Sequence, residues 1–272
     1  MNPDEKQLFT ERTRSVVNAA KLLSSSGRKK AGRFLVEGPN LVEAAVAAGK
    51  ATDIFTTVEA DDRYAGITNP ARSGGVYVHL INDRAAAHLS DTVTTTGLFA
   101  VCEPVVVPLD QALGDSPREV VVAVSTTEPG NTGTLLRLAA GLGADCVVLA
   151  GQCADPQSGK AARASAGSLF TVPVARVDDV DRVLAEVKKR SLTVVATALD
   201  CDTSLGDHRA DELLAGPVAW LFGNEAHGLD PRVLEQSDVR MNIPITGKAE
   251  SLNVAAAAAI CLWETARVRG RQ

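Results

Sequence analysis

Three short stretches in the second half of the chain combine residues that can do chemistry with glycines and prolines that shape loops. The first is Glu128-Pro129-Gly130-Asn131-Thr132-Gly133-Thr134-Leu135-Leu136-Arg137. It follows an apolar run and opens a helix, so its glycines let the backbone approach a ligand and the helix N-terminus offers free N–H groups to an anion. It holds neither the G-x-G-x-x-G fingerprint nor a Walker lysine, which leaves nicotinamide dinucleotides and nucleoside triphosphates unsupported. Arg137 stands near the positive end of that helix, where the dipole disfavours a cation. It is either a solvent-facing arginine or one placed for a purpose. The second stretch, Leu221-Phe222-Gly223-Asn224-Glu225-Ala226-His227-Gly228-Leu229, ends an apolar strand in a polar, glycine-flanked turn. His227 fits a general base but fits better as a histidine that holds the turn by hydrogen bonds. The third runs Ile243-Pro244-Ile245-Thr246-Gly247-Lys248-Ala249-Glu250-Ser251-Leu252-Asn253-Val254, with Ser251 as an N-cap of the helix that follows or, second to that, a substrate contact. The three together, in this order and spacing, are far more specific than any one alone.

The elements that must position these loops change character near residue 104. Before it, the pattern predicts a helix over 9–26 broken at Gly27-Arg28-Lys29-Lys30, and a strand at Phe34–Val36. A helix over 40–48 follows with Pro39 in its first turn, then β-like runs at 53–58, 75–81 and 97–103 and a helix at 83–89. This reads as a small mixed α/β domain, residues 1–106. Pro104, Pro108, Gly114 and Pro117 mark a boundary, with 107–118 as a linker. From 119 to 272, strand-like runs at 120–124, 146–149, 192–197, 217–222 and 239–245 alternate with helices at 133–142, 178–190 and 251–266. Such alternation predicts a mostly parallel sheet covered by helices, with ligands beyond the carboxyl ends of its strands. The last helix is Ala-rich and apolar almost all round, as in a core helix or a subunit contact.

With 272 residues, 45% of them hydrophobic, the chain can build one large or two modest cores. The net charge of −5 argues mildly against nucleic acid, yet residues 1–35 hold eight Lys or Arg against three acids. The five cysteines form no C-x-x-C pair and show no metal-ligand spacing, so neither a disulfide framework nor a metal is expected. The polar N-terminus is not a secretory signal and no apolar run has membrane length, so a cytoplasmic protein is expected.

The three loops resemble the motifs of the SpoU (TrmH) family of RNA 2′-O-ribose methyltransferases. The resemblance is close over 119–272 and includes Arg163-Ala164-Ser165-Ala166-Gly167-Ser168-Leu169-Phe170. Arg33-Phe34-Leu35-Val36-Glu37-Gly38-Pro39-Asn40-Leu41-Val42-Glu43-Ala44-Ala45 extends it to the family's L30e-like RNA-binding domain. Glu128 stands where Asp is commoner, and Cys153 where Ser is usual. The resemblance implies an α/β fold: a C-terminal SPOUT-type domain with a trefoil knot, preceded by a small L30e-like α/β domain. It also implies a homodimer, S-adenosylmethionine as cofactor and structured RNA as substrate, ribosomal RNA before transfer RNA.

The same resemblance assigns the cofactor to backbone groups around Thr197, Leu199, Gly223, Ile243 and Leu252, with Asn253 beside them, and catalysis to Arg137, Asn131 and Glu225. A guanidinium is too weak an acid to serve as a free base, so Arg137 is expected to hold an RNA phosphate and offset charge on the 2′-oxygen. Glu225 is expected to pair with backbone N–H groups or to orient Arg137. Arg28, Lys29, Lys30 and Arg33 are expected to bind RNA phosphates. A non-catalytic RNA-binding protein of this fold would lack a motif residue, and none is missing. A base methyltransferase with a cysteine nucleophile would have to use Cys201, since no cysteine lies in the three loops.

Overall fold

Runs of β-branched residues form the strands, and their burial sets the architecture. Glu119–Val124, Cys146–Ala150 and Val218–Phe222 are buried at every position, as expected of strands covered on both faces. The computed structural model describes residues 8–224 and 227–270. It divides into two units, one reaching Val105 and including Asp155–Thr171, the other comprising Val106–Ala154 and the chain from Val172.

The first unit contains α1 (Arg14–Ala20), α2 (Ser25–Ala31), β1 (Phe34–Glu37), α3 (Pro39–Ala47), β2 (Ala51–Thr56), α4 (Val58–Arg63), α5 (Ala65–Ser73), β3 (Tyr77–Leu80), α6 (Asp83–Leu89) and β4 (Leu98–Cys102). Its sheet has the order β1-β4-β2-β3. Both β4 pairings are antiparallel, and β2–β3 is parallel. Val16, Leu22, Leu35, Phe55, Leu89 and Phe99 fill the core on one face. The expected break at Gly27–Lys30 is instead helical. Ser24 Oγ accepts from Gly27 N at 3.1 Å and starts α2, and Gly32, at φ +59°, ends it. Gly27 serves close approach, since a Cβ there would sit 1.9 Å from the Lys21 carbonyl oxygen. The helices α4 and α5 carried no strong periodic signal; Thr57 caps the first of them, and Pro70 lies inside the second.

The second unit contains β5 (Val106–Val107), α7 (Leu109–Leu113), β6 (Glu119–Val124), α8 (Pro129–Leu142) and β7 (Cys146–Ala150). The helix α9 (Gly159–Ser165) belongs to the first unit. After it come β8 (Val174–Val177), α10 (Val180–Lys189), β9 (Thr193–Thr197), β10 (Thr203–Ser204), α11 (His208–Leu214), β11 (Val218–Phe222), α12 (Pro231–Gln236), β12 (Val239–Asn242) and α13 (Val254–Val268). The eight strands have the order β10-β12-β9-β11-β6-β7-β8-β5, and every pairing is parallel.

Three expectations need correcting. Residues 107–118 are not a bare linker: β5 pairs with β8, and Leu109, Ala112 and Leu113 are buried in the core of the second unit. The strand expected over 239–245 stops at Asn242. The segment Asp155–Thr171, expected inside the C-terminal domain, packs with the first unit. There Phe170 stacks on Phe34 at 5.9 Å and Asp155 pairs with Arg28.

At its far end α13 is tied to the sheet by Arg269. Its side chain donates to the carbonyls of Leu214 (3.0 Å), Gly216 (2.5 Å) and Arg118 (3.0 Å) and pairs with Glu119 at 3.4 Å. Arg269 is 3% exposed and Glu119 0%. Trp220 of β11 donates to Thr265 Oγ1 at 3.0 Å and fixes the last turn of the same helix.

Candidate functional site

The parallel strands β9, β11 and β12 end on one side, and the loops beyond them enclose a cleft of about 500 Å³. Thr197, Leu199, Gly223, Ile243 and Leu252, all named from the sequence, line it. The walls are largely apolar side chains and loop backbone, a composition suited to a planar heterocycle read through main-chain groups.

Each loop is fixed by polar side chains turned inward. The Thr197 hydroxyl donates to the Leu221 carbonyl at 2.9 Å and joins the ends of β9 and β11. Asn224 and Gly228 exchange backbone hydrogen bonds of 2.9 and 2.8 Å, folding the loop after β11 back on itself. The return passes so close to Gly223 that a Cβ there would lie 2.4 Å from the Gly228 carbonyl carbon. Only glycine fits. Asn224 Nδ2 also donates to the Ser125 carbonyl at 2.8 Å. Ser125, just past β6, has φ 53°, an arrangement costing a non-glycine residue about 1–2 kcal/mol. Asn224 therefore holds a strained turn in place, a role the sequence reading did not assign it. The signal was an amide directly after the strand-ending glycine.

Glu128 caps α8, accepting from Asn131 N at 2.8 Å, and its charge suits the positive helix end. Ser251 does not cap α13. Asn253 does, accepting from Ala255 N at 2.9 Å and Ala256 N at 3.4 Å. Ser251 stands two residues before that cap, in the cleft wall, while Asn253 is not part of that wall. Asn253 Nδ2 donates to Asn131 Oδ1 at 3.2 Å, so the N-termini of α8 and α13 are joined by two asparagines. Arg137 is exposed, lies outside the cleft wall, and makes no hydrogen bond or ion pair with another described residue. His227 is exposed on the cleft wall and its ring holds no hydrogen bond among the described residues; the backbone pair of Asn224 and Gly228 closes the turn in its place. Glu225 lies outside the described residues.

Among the basic residues, Arg28 is not available to a phosphate. It is 8% exposed, pairs with Asp155 at 2.7 Å, and donates to the Leu22 and Leu23 carbonyls at 3.1 and 3.0 Å. Lys29, Lys30 and Arg33 are exposed. Of the cysteines, Cys102, Cys146, Cys153 and Cys261 are buried, and Cys201 is partly exposed. Burial pushes the thiols of Cys102 and Cys261 far up, and that of Cys146 up to about 12.

Residues 118–263 match the SpoU rRNA Methylase family, and residues 14–100 match the MRM3-like substrate binding domain. The chain belongs to the SpoU methylase family. This SpoU chain is 32% identical over 258 residues to the 23S rRNA (guanosine(2553)-2′-O)-methyltransferase RlmP of Bacillus subtilis, covering 95% of this chain and 98% of that one. It is 32% identical over 206 residues to the 23S rRNA (guanosine-2′-O-)-methyltransferase RlmB of Nitrosomonas europaea, covering 76% and 71%. Among solved structures it is similar to the SpoU methyltransferase AviRb of Streptomyces viridochromogenes in complex with AdoMet. That match has a TM-score of 0.83 and 28% identity over 95% of this chain and 100% of that one. An AdoMet-bound rRNA methyltransferase from Sinorhizobium meliloti gives a TM-score of 0.80 and 27% identity over 94% and 95%. In the SpoU chain no helix among the described residues is long and apolar enough to cross a membrane.

Proposed function

We propose that this SpoU chain transfers a methyl group from S-adenosylmethionine to a ribose 2′-hydroxyl of ribosomal RNA. The observation that carries this reading is the cleft at the ends of β9, β11 and β12, lined by Thr197, Leu199, Gly223, Ile243 and Leu252. Its volume lies within the range of about 300–1,000 Å³ usual for small-molecule sites. The Gly223 turn, which no side chain could enter, leaves main-chain groups facing the cleft, as an adenine edge requires. Bound there, S-adenosylmethionine would supply an electrophilic methyl on a sulfonium sulfur. The relatives' names as ribosomal RNA 2′-O-methyltransferases support the substrate, and a ribosomal RNA substrate supports a cytoplasmic protein.

The chain's own residues would position the acceptor and exclude water. Asn131 and Asn253 hold the two helix starts together and so fix the loop of residues 243–253. Arg137, with its guanidinium uncommitted among the described residues, would grip an RNA phosphate and offset charge on the 2′-oxygen. Glu225 would orient that arginine. We read the C-terminal region as a trefoil knot, supported by β12 lying between β9 and β10 and by α13 returning to pack on α8. A second copy of the chain is the proposed partner of the exposed side of α13, where Ile260 and Trp263 stand in solvent.

The test incubates purified protein with methyl-labelled S-adenosylmethionine and total RNA from a strain lacking the gene, then digests the RNA to nucleosides. Label in a 2′-O-methyl nucleoside of large ribosomal RNA is expected. Label in a methylated base would overturn the ribose assignment. Arg137→Lys should lower turnover by tenfold or more, since ammonium cannot replace the planar two-pronged grip; near-full turnover would remove that role from Arg137.

A further inference from the structure

We propose that the first unit carries a site for single-stranded RNA at one end of its sheet, where an unpaired base stacks on Tyr77 and Arg33 holds a neighbouring phosphate. This rests on the RNA methyltransferase reading, which already expects Arg33 at a phosphate, and adds to it a stacking platform at Tyr77 that selects unpaired bases.

Tyr77 opens the edge strand β3 and is 71% exposed. It is the outer member of a row of rings. Phe9 and His79 lie 5.1 Å apart between centroids at 24°, and Tyr77 follows His79 at 6.4 Å and 11°. Phe55, fully buried, backs His79 at 4.9 Å. Near-parallel rings at these spacings are offset stacks. A ring fixed at the solvent end of such a row offers a π-face that any base can extend. The row is held rigidly. His79 Nε2 lies 3.0 Å from Asp53 Oδ1, and the Thr52 hydroxyl lies 3.0 Å from Asp53 Oδ2. A platform already in place loses little freedom when a base arrives.

The cation comes from across the sheet: Arg33 precedes β1, the opposite edge strand, which starts at the same sheet end as β2 and β3. Asp53 is the direct cross-strand partner of Tyr77, and Arg33 Nη1 donates to Thr52 Oγ1 at 2.6 Å. The guanidinium is thereby anchored through one of its five N–H groups, beside the strand that flanks Tyr77. Lys29 and Lys30, both exposed, precede it in α2, and Gly32 turns the chain into β1. An exposed ring and a cation at one sheet end, with the Asp53 carboxylate between them committed to His79 and Thr52, are the components of a single-strand RNA site, in which stacking gives contact and phosphates give attraction. Duplex RNA, with its bases paired, would gain nothing from Tyr77.

The probe is a single-stranded RNA of about 12 nucleotides carrying one 2-aminopurine, bound to the full-length protein at low salt and read by fluorescence quenching. Tyr77→Ala should abolish the quench and weaken binding about 5- to 100-fold, whereas Tyr77→Trp should keep both. Arg33→Gln should weaken binding and lower the slope of log K against log salt by about 0.7, the single-strand value for one phosphate. Melting temperature and S-adenosylmethionine affinity establish that the variants are folded. Wild-type quench and affinity in Tyr77→Ala would overturn the proposal. So would a preference for an RNA duplex that Tyr77→Ala leaves unchanged, or a loss of self-association in Tyr77→Ala with probe binding intact. Methyl transfer to RNA by the wild type, with both variants binding the probe normally, would sink this site alone. Tyr77-dependent binding without any methyl transfer would sink the catalytic reading alone.

Discussion

Replacing Asn253 separates two tasks performed by one side chain. Its Oδ1 caps α13 through Ala255 N at 2.9 Å and Ala256 N at 3.4 Å, and its Nδ2 reaches Asn131 Oδ1 at 3.2 Å. Asn253→Ala removes both. A lost cap costs about 1 kcal/mol; only the shorter of the two accepted bonds has full strength, which argues for the middle of the known range. The bond to Asn131 is neutral and exposed and adds about 0.5 kcal/mol. The sum, about 1.5 kcal/mol, should lower the urea midpoint by roughly 0.5–1 M. Asn253→Ser keeps an oxygen at the cap position, where Ser ranks level with Asn, but cannot reach Asn131. It should recover about 1 kcal/mol of the loss while leaving residues 243–253 unpinned. Urea unfolding can be followed by the fluorescence of Trp220, which is tied to α13 through Thr265, alongside cofactor affinity and methyl transfer. Both variants should show a similar drop in function, and only the alanine variant should lose the cap. A serine variant as unstable as the alanine one would refute the cap assignment. A serine variant with full cofactor affinity and turnover would show that the link between the asparagines has no bearing on the site.

Arg269→Met should cost about 3–5 kcal/mol in urea unfolding, because it strands a buried carboxylate, and adding Glu119→Leu should restore most of the loss. Arg28→Met should destabilise the first unit without changing the salt slope of RNA binding, whereas Lys29→Gln and Lys30→Gln should each lower that slope by about 0.7 with little effect on the melting temperature. At pH 8 a disulfide thiol reagent should modify Cys201 in the native protein and reach the other four cysteines only on unfolding. Burial, with the charge of Asp145 second, raises the Cys146 thiol from 9.0 to about 12. Its contribution to stability is therefore complete below pH 9 and is lost as pH climbs toward 12, so Cys146→Ala should flatten the alkaline fall of the urea midpoint between those values.

The parallel sheet was legible because runs such as Val120–Val124 leave a doubly buried strand as the natural reading, and the cleft was legible because its loops follow such runs. The motif resemblance named five of its wall residues, which propensity alone could not have done. Two things stayed hidden for physical reasons. The packing of Asp155–Thr171 with the first unit depends on long-range partners, Arg28 and Phe34, that no local pattern announces. The burial of Arg28 was equally invisible, since its neighbours Lys29 and Lys30 are exposed and a run of three cations reads as one surface. Ser251 was misread as a cap because Ser and Asn satisfy the same rule two residues apart, and only the path of the chain decides between them.

Four polar side chains at the loops and strand ends are committed to hydrogen bonds within the protein. Glu128 holds Asn131 N, Asn253 holds Asn131 Oδ1, Asn224 holds the Ser125 carbonyl, and Thr197 holds the Leu221 carbonyl. The first caps α8 within its own loop and the other three join one loop or strand end to another, so these side chains fix the backbone around the cleft. Substituting them should move the cleft's walls instead of deleting a contact, and the loss should fall on cofactor affinity and turnover together. Arg137 is different. It is the ninth of the 14 residues of α8, exposed and with no partner among the described residues; because the helix starts at Pro129, the expected conflict with the helix dipole does not arise. We propose as its partner a phosphate of the RNA presented to the cleft, which has the charge and the geometry that a guanidinium grips best.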